Sequence, residues 1–320
     1  MGQFNRNIPS TRRVPVEEPA RRSVALRKGQ VVTTHNRIVV VEDDRGHLAK
    51  CSLRRKLGRV VCGDYVEWRT TTRGQGIVES VTRDCKLLER YDARGQHRPL
   101  AANVDQIVIT SAPHPPLNES LIDSYLVAAE LIGSDAVILV NKSDLLNQEQ
   151  QAAITTRLQD YVRIGYPVLF CNTRSAHGTD ALIESLKGRT SILVGQSGAG
   201  KSSLIRALLP DQQIRIGQLS STTGLGRHTT TNTTLYHLSP DSHLIDSPGV
   251  RDFALPHVAP NQVADGFREF QPYLGKCRFS NCSHNQEPGC AVHTAAANGQ
   301  INERRLKSYQ KMVTQLKKQR

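Results

Sequence analysis

The stretch that decides the fold is residues 192–202, which read Ile-Leu-Val-Gly-Gln-Ser-Gly-Ala-Gly-Lys-Ser. Its apolar start predicts a buried strand, and the apolar spacing of residues 204–209 predicts a helix directly behind it. Between the two lies the pattern Gly-x-x-x-x-Gly-Lys-Ser, which forms a phosphate-binding loop when it joins a strand to a helix. The sequence therefore predicts that this chain binds a nucleoside phosphate.

Each residue type in this loop has a chemical role. Gly198 and Gly200 can adopt positive φ angles and turn backbone N–H groups towards phosphate oxygens, and the helix N-terminus adds a partial positive charge. We expect Lys201 to reach the β- and γ-phosphates as part of the catalytic machinery and the Ser202 hydroxyl to bind Mg²⁺. Magnesium therefore accompanies the nucleotide in this prediction.

Composition indicates a protein that is neither secreted nor membrane-spanning. The longest uninterrupted apolar run, residues 136–140, is far shorter than the roughly 20 residues of a transmembrane helix, and no apolar stretch follows the first arginines as in a secretory signal. The cysteine count of 7 is odd, which argues against a disulfide scaffold. We expect a cytoplasmic protein with no membrane partner, acting as a monomer.

The net charge of +13 is concentrated at the two ends of the chain. Residues 1–28 contain 7 basic and 2 acidic residues, and residues 301–320 contain 7 basic residues and 1 acidic residue. Basic arms on a near-neutral body suggest a polyanionic partner, most often nucleic acid, with solvated tails as the alternative. Residues 1–28 also hold 3 prolines and few large apolar side chains, so we predict a disordered arm.

Residues 29–95 are predicted to form a small β-barrel of the OB type, a fold that often binds RNA. Short β-type runs are separated by turn signals, and Trp68 is assigned to the barrel core. RNA binding would use a basic loop, and a solvated edge of a purely structural domain is the alternative. That loop contains Arg54, Arg55, Lys56 and Arg59. The predicted strands lie at 31–32, 38–41, 47–53, 64–68 and 76–81.

Residues 96–255 have the pattern of an α/β domain. Every candidate motif in it follows the C-terminal end of a predicted strand, which is where open parallel sheets bind ligands. Besides the strand and helix around the phosphate loop, the predicted strands lie at 104–110, 136–140, 168–171 and 243–245, and the predicted helices at 120–132, 148–162 and 179–187.

The segment Asn141-Lys142-Ser143-Asp144 predicts that the base is guanine. An ionised Asp144 can accept hydrogen bonds from both N1–H and N2–H₂ of guanine, and charge-assisted bonds are the stronger kind. Adenine offers no such edge. The Lys142 stem is expected to pack over the base, and Asn141 to tie loops together. The predicted nucleotide is therefore GTP.

A second segment, Asp-Ser-Pro-Gly at residues 246–249, is expected to serve the metal and the γ-phosphate. Asp246 would supply a carboxylate to the Mg²⁺ shell and Gly249 a backbone N–H. Before it lies the glycine-flanked segment 224–231, whose hydroxyls can reach Mg²⁺; an ordinary polar surface loop is the alternative. Its candidate ligands are Thr229, Thr230 and Thr231, between which the sequence does not choose.

The order of these motifs is unusual. In ordinary GTPases the phosphate loop precedes the guanine-reading segment, whereas here residues 141–144 come about fifty residues before the loop. A permuted chain can still close the same sheet if its termini and joins lie on the surface. The chain is therefore predicted to contain a circularly permuted GTPase domain.

Residues 256–320 are predicted to form a partly helical zinc-binding domain. Cys277, Cys282, His284 and Cys290 gather three thiols and an imidazole within 14 residues. A Cys₃His set is a closed tetrahedral zinc site, which is structural rather than catalytic. Behind it, residues 301–316 have apolar side chains at helical spacing and predict an amphipathic helix with a basic outer face.

Taken together, these features resemble the RsgA family of bacterial GTPases over about residues 29–320. The resemblance implies a GTPase that binds the small ribosomal subunit and its rRNA, acts in late maturation of that subunit, and carries one structural zinc. It places the zinc ligands on the four residues named above. It also implies GTP contacts at Asn141, Lys142, Ser143 and Asp144 and at Gly195, Gln196, Ser197, Gly198, Ala199, Gly200, Lys201, Ser202 and Ser203.

Two positions depart from the pattern of the family. Asn172 and Thr173 stand where a Ser-Ser or Ser-Ala pair usually contributes to the base site, so their contact with the base is open. Leu225 stands where the family often has arginine, which removes one candidate contact to phosphate or RNA.

The catalytic group is the least defined part of the prediction. Many GTPases orient the attacking water with a glutamine after the Asp-x-x-Gly segment, but this chain has Val250 there. His228 is the candidate by resemblance and by chemistry, since an imidazole can relay a proton near neutral pH; a plain loop histidine is the alternative.

We therefore expect a GTP hydrolase that is stimulated by the small subunit and leaves it after hydrolysis. A GTP-dependent RNA-binding scaffold with incidental hydrolysis is the alternative, and an ATP-dependent RNA enzyme is a weaker one.

Overall fold

The computed structural model describes residues 25–35, 37–71, 75–84, 86–91, 96–209, 233–247 and 259–318. The first part is a closed barrel whose strand order is β1-β2-β3-β5-β4, with β4 pairing again with β1. Alternate side chains point inwards and form one core, in which Trp68 is buried as predicted. The strands are β1 (Arg27–His35), β2 (Ile38–Asp43), β3 (Leu48–Leu53), β4 (Tyr65–Thr70) and β5 (Gly76–Thr82).

All five predicted barrel strands are present, and β1 is longer than predicted. Arg27 and Lys28, assigned to the disordered arm, are the first residues of β1. Residues 1–24 lie outside the described residues. Gly76 is required at its position because a Cβ there would lie 2.2 Å from the Cys51 sulfur.

A hairpin of β6 (Leu87–Tyr91) and β7 (His97–Ala102) follows the barrel, and the sequence did not predict it. Leu88 and Leu100 pack in the core of the α/β part rather than in the barrel core. The boundary predicted between residues 95 and 96 falls between these two paired strands, so it divides a unit that the backbone hydrogen bonds hold together. Charged residues interrupt the apolar positions of this stretch and conceal its strand pattern. The four-part division of the chain stays a prediction.

The α/β part is a sheet in the order β10-β9-β8-β11-β13-β12, in which every neighbouring pair is parallel except β13 and β12. The predicted strands and helices are all present. The strands are β8 (Gln106–Ser111), β9 (Asp135–Val140), β10 (Val168–Phe170), β11 (Thr190–Gly195), β12 (Thr234–Ser239) and β13 (Ser242–Asp246). The helices are α1 (Glu119–Ile132), α2 (Gln148–Arg163), α3 (Asp180–Leu186) and α4 (Lys201–Leu208).

Strand β12 was not predicted, and it joins the two sheets. Thr234 of β12 pairs with Thr33 of β1, so the barrel continues the edge of the α/β sheet. None of the helices in the described part of the chain is long and apolar enough to cross a membrane.

The C-terminal part packs on α1. It consists of two 3₁₀ helices, Pro260–Gly266 and Arg268–Tyr273, followed by α5 (Ala291–Ala297) and α6 (Glu303–Lys318). Val127 of α1 belongs to its apolar core. Gly266 allows this close approach, since a Cβ there would lie 2.6 Å from a Val127 methyl group.

A buried cluster of charged groups fixes this junction. Asp123 of α1 is fully buried. It accepts hydrogen bonds from the side chains of Tyr161, Arg304, Arg305 and Ser308. Arg305 also donates to both oxygens of Glu269, at 2.6 and 3.1 Å. Two carboxylates and two guanidinium groups therefore compensate one another across three segments of the chain.

Arg305 corrects one expectation. The sequence placed the basic residues of the C-terminal helix on its outer face, but the Arg305 side chain is only 1% exposed. Its position borders the apolar face of α6, and the buried carboxylates of other segments draw it inwards.

Replacing Asp123 should destabilise the fold. Asp123→Asn keeps the shape but removes the negative charge that compensates two guanidinium groups, and breaking a buried pair costs about 3–5 kcal/mol. Urea denaturation at neutral pH measures the change in the free energy of unfolding. The control is Glu303→Gln, which breaks an exposed pair with Lys307 and should leave the free energy of unfolding nearly unchanged, because exposed ion pairs contribute little. Equal stability of Asp123→Asn and the wild type would contradict this account.

Candidate functional site

The predicted nucleotide motifs meet at one edge of the α/β sheet. Strands β9, β10, β11 and β13 run parallel, so the segments that follow them emerge together. Asn141 follows β9, Asn172 comes two residues after β10, Gly195 ends β11 and Asp246 ends β13. The site therefore arises from sheet order and not from the order of the motifs in the chain.

The glycines of residues 195–200 permit the shape of the phosphate loop. Gly195, Gly198 and Gly200 have φ angles of +124°, +81° and +92°, which side chains disfavour. At Gly195 a Cβ would also lie 2.1 Å from the carbonyl oxygen of Thr110. The Lys201 ammonium group donates to the carbonyl oxygens of Gly195 and Gln196, at 2.7 and 3.0 Å. Lys201 thus lies across the loop.

Asn141 and Lys142 connect the guanine-reading segment to this loop. The buried Asn141 amide donates to the carbonyl oxygen of Ala199 at 2.9 Å and accepts from the Cys171 thiol at 3.4 Å. Lys142 has a φ of +60° and donates to the carbonyl oxygen of Gly198 at 2.6 Å. Asn141 therefore ties three loops together, which is the role the sequence suggested.

A cavity of about 160 Å³ lies beside these residues and has the position expected for the base. Asp144 lines it and lies 3.4 Å from the exposed guanidinium group of Arg174. Its lining consists of Asn141, Lys142, Asp144, Leu145, Thr173, Arg174, Gly200 and Ser203. Leu145 and Arg174 were not predicted, although each directly follows a predicted contact. Ser143 is not part of this lining.

The two residues that depart from the family pattern have different positions. Asn172 uses its side-chain oxygen within its own loop, where it accepts from the backbone of Arg174 and from the backbone and hydroxyl of Ser175. Thr173 lines the cavity. Of the pair, Thr173 is therefore the one placed to meet a base.

Asp246 has the environment of a carboxylate that pairs with a cation. Burial raises its pKa, and the Lys201 ammonium group partly offsets this. A divalent cation would offset it further, and the Ser202 hydroxyl, on the second residue of α4, belongs to the oxygen ligands that Mg²⁺ prefers. These residues fit the predicted magnesium site. His228, Thr229, Thr230, Thr231 and Gly249 lie outside the described residues.

The four predicted metal ligands of the C-terminal part come together. The ligand atoms of Cys277, Cys282, His284 and Cys290 all lie within 4.8 Å of one another. Burial raises the pKa of the Cys282 thiol to about 12, so the thiolate needs the positive charge of a cation. The backbone N–H of Ala291 donates to the Cys277 sulfur at 3.3 Å and orients it. This donor set can hold one divalent metal ion.

Glu287 shapes the loop between two of these ligands. Its carboxylate accepts hydrogen bonds from the Ser283 hydroxyl and from the backbone N–H groups of Ser283, Asn285 and Gln286. These bonds, the Ser283 hydroxyl first, lower the pKa of Glu287 to about 2. Glu287 therefore fixes the loop through hydrogen bonds within the loop itself.

Comparison with known proteins gives consistent matches. A family model described as RsgA GTPase matches residues 81–256. A Chromohalobacter salexigens protein named small ribosomal subunit biogenesis GTPase RsgA is 49% identical over 291 residues, 90% of this chain and 85% of that protein. A Histophilus somni protein (strain 129Pt) of the same name is 42% identical over 292 residues, 90% of this chain and 83% of that protein.

Two solved structures share the fold. YjeQ from Thermotoga maritima is 32% identical with a TM-score of 0.73, covering 91% of this chain and 99% of that one. YloQ, described as a circularly permuted GTPase, is 23% identical with a TM-score of 0.70, covering 95% of this chain and 99% of that one.

The base assignment is tested by Asp144→Asn. An amide cannot accept from both donors of guanine, but it can donate to the extra carbonyl of xanthine, so preference should move from guanine to xanthine nucleotides. A mismatched polar pair changes selectivity by on the order of 10⁴. Competition binding with the two triphosphates measures this, with Asp180→Asn on α3 as control. Unchanged preference for GTP would refute the assignment.

The metal cluster is tested by Cys282→Ser. The purified wild type should contain one metal ion per chain, and the variant should contain less. The region after residue 270 should also become less stable, because metal binding contributes folding energy. Elemental analysis and hydrogen exchange measure the two effects. Nucleotide affinity should survive, and Cys51→Ser in the barrel core should keep its metal. An ordered C-terminal part in a metal-free wild type would exclude the site.

Proposed function

This chain belongs to the RsgA GTPase family, and we propose that it acts as a GTPase in the biogenesis of the small ribosomal subunit, which it binds through rRNA. The name shared by its relatives supports this role. The observation that carries it is the joining of the guanine-reading segment to the phosphate loop through Asn141 and Ala199.

We assign the nucleotide contacts by segment. Residues 141–144 bind guanine together with Thr173 on the neighbouring loop, whose shape Asn172 fixes, and residues 195–203 bind the phosphates. Thr230, Thr231 and Gly249 complete the site on the γ-phosphate side. Bound Mg²⁺ neutralises charge that develops on the phosphates. Ser202 and Asp246 would hold it.

In the C-terminal part we propose that the metal is zinc. Three thiols and one imidazole form the closed, soft donor set that zinc prefers in structural sites. Its role is to hold the loop at residues 277–290 against α6, to which Tyr309 also ties it by a hydrogen bond from its hydroxyl to the carbonyl oxygen of Ser283.

The surfaces proposed for rRNA are basic and exposed. In the barrel, the segment between β3 and β4 exposes Arg55, Lys56 and Arg59. Arg54, assigned to the same loop, pairs with Glu79. On α6 the exposed basic residues are Lys307, Lys311, Lys317 and Lys318. Phosphate contacts supply most of the affinity of such surfaces.

In the proposed mechanism, binding to the small ribosomal subunit stimulates GTP hydrolysis. Lys201 positions the phosphates, and His228 is the candidate that orients the attacking water, because the side chain of Val250 cannot form a hydrogen bond with it. Subunit binding would place the segments around residues 224–231 and 246–249 for catalysis and so raise the rate. Loss of the γ-phosphate would then lead to release of the subunit. The protein would do this as a monomer in the cytoplasm.

The experiment combines subunit pelleting with turnover. Replacing Arg55, Lys56 and Arg59 by alanine should weaken binding and lower its salt slope by roughly 2 to 3 units, nearly one for each lost phosphate contact. Affinity for GTP should not change. The matched control replaces Arg157, Arg163 and Lys187, three basic residues on α2 and after α3, by alanine.

Two outcomes would overturn parts of this proposal. An equal salt slope in both triple variants would exclude the barrel loop as the RNA contact. Wild-type binding without a rise in GTP turnover would favour the GTP-dependent scaffold instead.

A further inference from the structure

One row of paired residues runs from the barrel to the magnesium side of the nucleotide site. Thr33 in β1 pairs with Thr234 in β12, and Thr234 pairs with Asp246 in β13. Only one strand therefore separates the barrel from the carboxylate assigned to Mg²⁺. The pair Thr33–Thr234 sets the register between β1 and β12.

Side-chain hydrogen bonds strengthen this row. Thr33 is only 7% exposed, and its hydroxyl donates to the carbonyl oxygen of Thr233 at 3.0 Å. The Thr234 hydroxyl donates to the Thr33 oxygen at 3.5 Å. The Thr233 hydroxyl lies 3.1 Å from that of Ser247, which directly follows Asp246 and is 3% exposed. Thr33 thus contacts the N-terminal end of β12. Thr234 at this end pairs with Asp246 of β13, and the chain enters this end from residues 224–231.

The barrel is shaped to make this contact. The pairing of β1 with β2 shifts by one residue between Val31 and Thr33, which is a β-bulge. Bulges bend a strand and redirect its side chains. The backbone of Val32 accepts a hydrogen bond from Cys62 at 3.4 Å instead. Thr33 is consequently turned to the edge of the α/β sheet, where β12 would otherwise be an unprotected edge strand.

We propose that Thr33, a residue of the barrel, is a positioning residue for the Mg²⁺-bound nucleotide. Through Thr233 and Thr234 it holds the ends of β12 and β13 in register, and so it holds the Asp246 carboxylate where the cation needs it. Displacements of about 1 Å are enough to weaken a preorganised site. Because such coupling is reciprocal, Mg²⁺ and nucleotide also stabilise the position of the barrel. This role of Thr33 goes beyond ribosomal function and rests on the assignment of Asp246 to Mg²⁺.

The test measures affinity for a fluorescent GDP with Mg²⁺ and with EDTA. The gain is the ratio of the affinity with Mg²⁺ to the affinity with EDTA. Thr33→Val should make this gain about fivefold smaller, the effect of one lost hydrogen bond, and should leave the affinity in EDTA unchanged. Thr33→Ser keeps the hydroxyl and should restore the gain. Thr34→Val is the control, since Thr34 pairs with Val39 of the barrel. Thr33→Ala replaces Thr33→Val if the valine variant does not fold.

Asp246→Asn separates the two ways in which the idea can fail. If Asp246→Asn keeps the Mg²⁺-dependent gain, the assignment of Asp246 is wrong. If Asp246→Asn loses the gain while Thr33→Val and Thr33→Ala keep it, Thr33 has only a structural role. A lower melting temperature of Thr33→Val with an unchanged gain would likewise limit Thr33 to a structural role.

Discussion

The hydrogen bond from the Asn141 amide to the carbonyl oxygen of Ala199 is the contact on which the nucleotide site depends. It joins a segment that recognises the base to a loop that binds phosphate, across 58 residues of chain. The contact is possible because β8 alone separates β9 from β11 in the sheet. The order of the two segments in the chain does not affect this contact, which is why a permuted GTPase can keep the same site. Gly200 is part of this constraint, since a Cβ there would lie 2.3 Å from the Asn141 amide nitrogen.

The sequence predicted what local patterns encode. Apolar runs such as residues 136–140 identified central strands, because a strand buried on both faces is apolar throughout. Residues 195–202 and 141–144 identified the site, because phosphate and guanine each demand particular groups at fixed spacing. Strands β6, β7 and β12 escaped prediction because polar residues interrupt their short apolar runs. The pairing of β12 with β1 escaped because the two strands are about 200 residues apart in the chain. The contact of Arg174 with Asp144 escaped because it depends on how two loops approach each other.

Helix α1 shows why the junctions between parts could not be predicted. It packs on the sheet through residues such as Ile122 and Leu126 and on the C-terminal part through Val127, so it has almost no free face. Its buried Asp123 looks from the sequence like any polar position on a helix. Buried ion pairs of this kind seldom add much stability compared with apolar packing, but an incorrect arrangement leaves charges uncompensated. The cluster around Asp123 therefore acts mainly to select one orientation of α6 against α1.

The barrel and the C-terminal part contact opposite ends of the nucleotide site. The barrel reaches β12, and through it Asp246, on the magnesium side. The C-terminal part holds α1, which begins at Glu119, five residues after His114. The carbonyl oxygen of His114 accepts a hydrogen bond from Lys142 on the guanine side. The barrel is therefore connected to the metal side of the site and the C-terminal part to the base side. A partner that binds both parts would be connected to both ends of the site, whereas a partner that binds one part would be connected to one end alone.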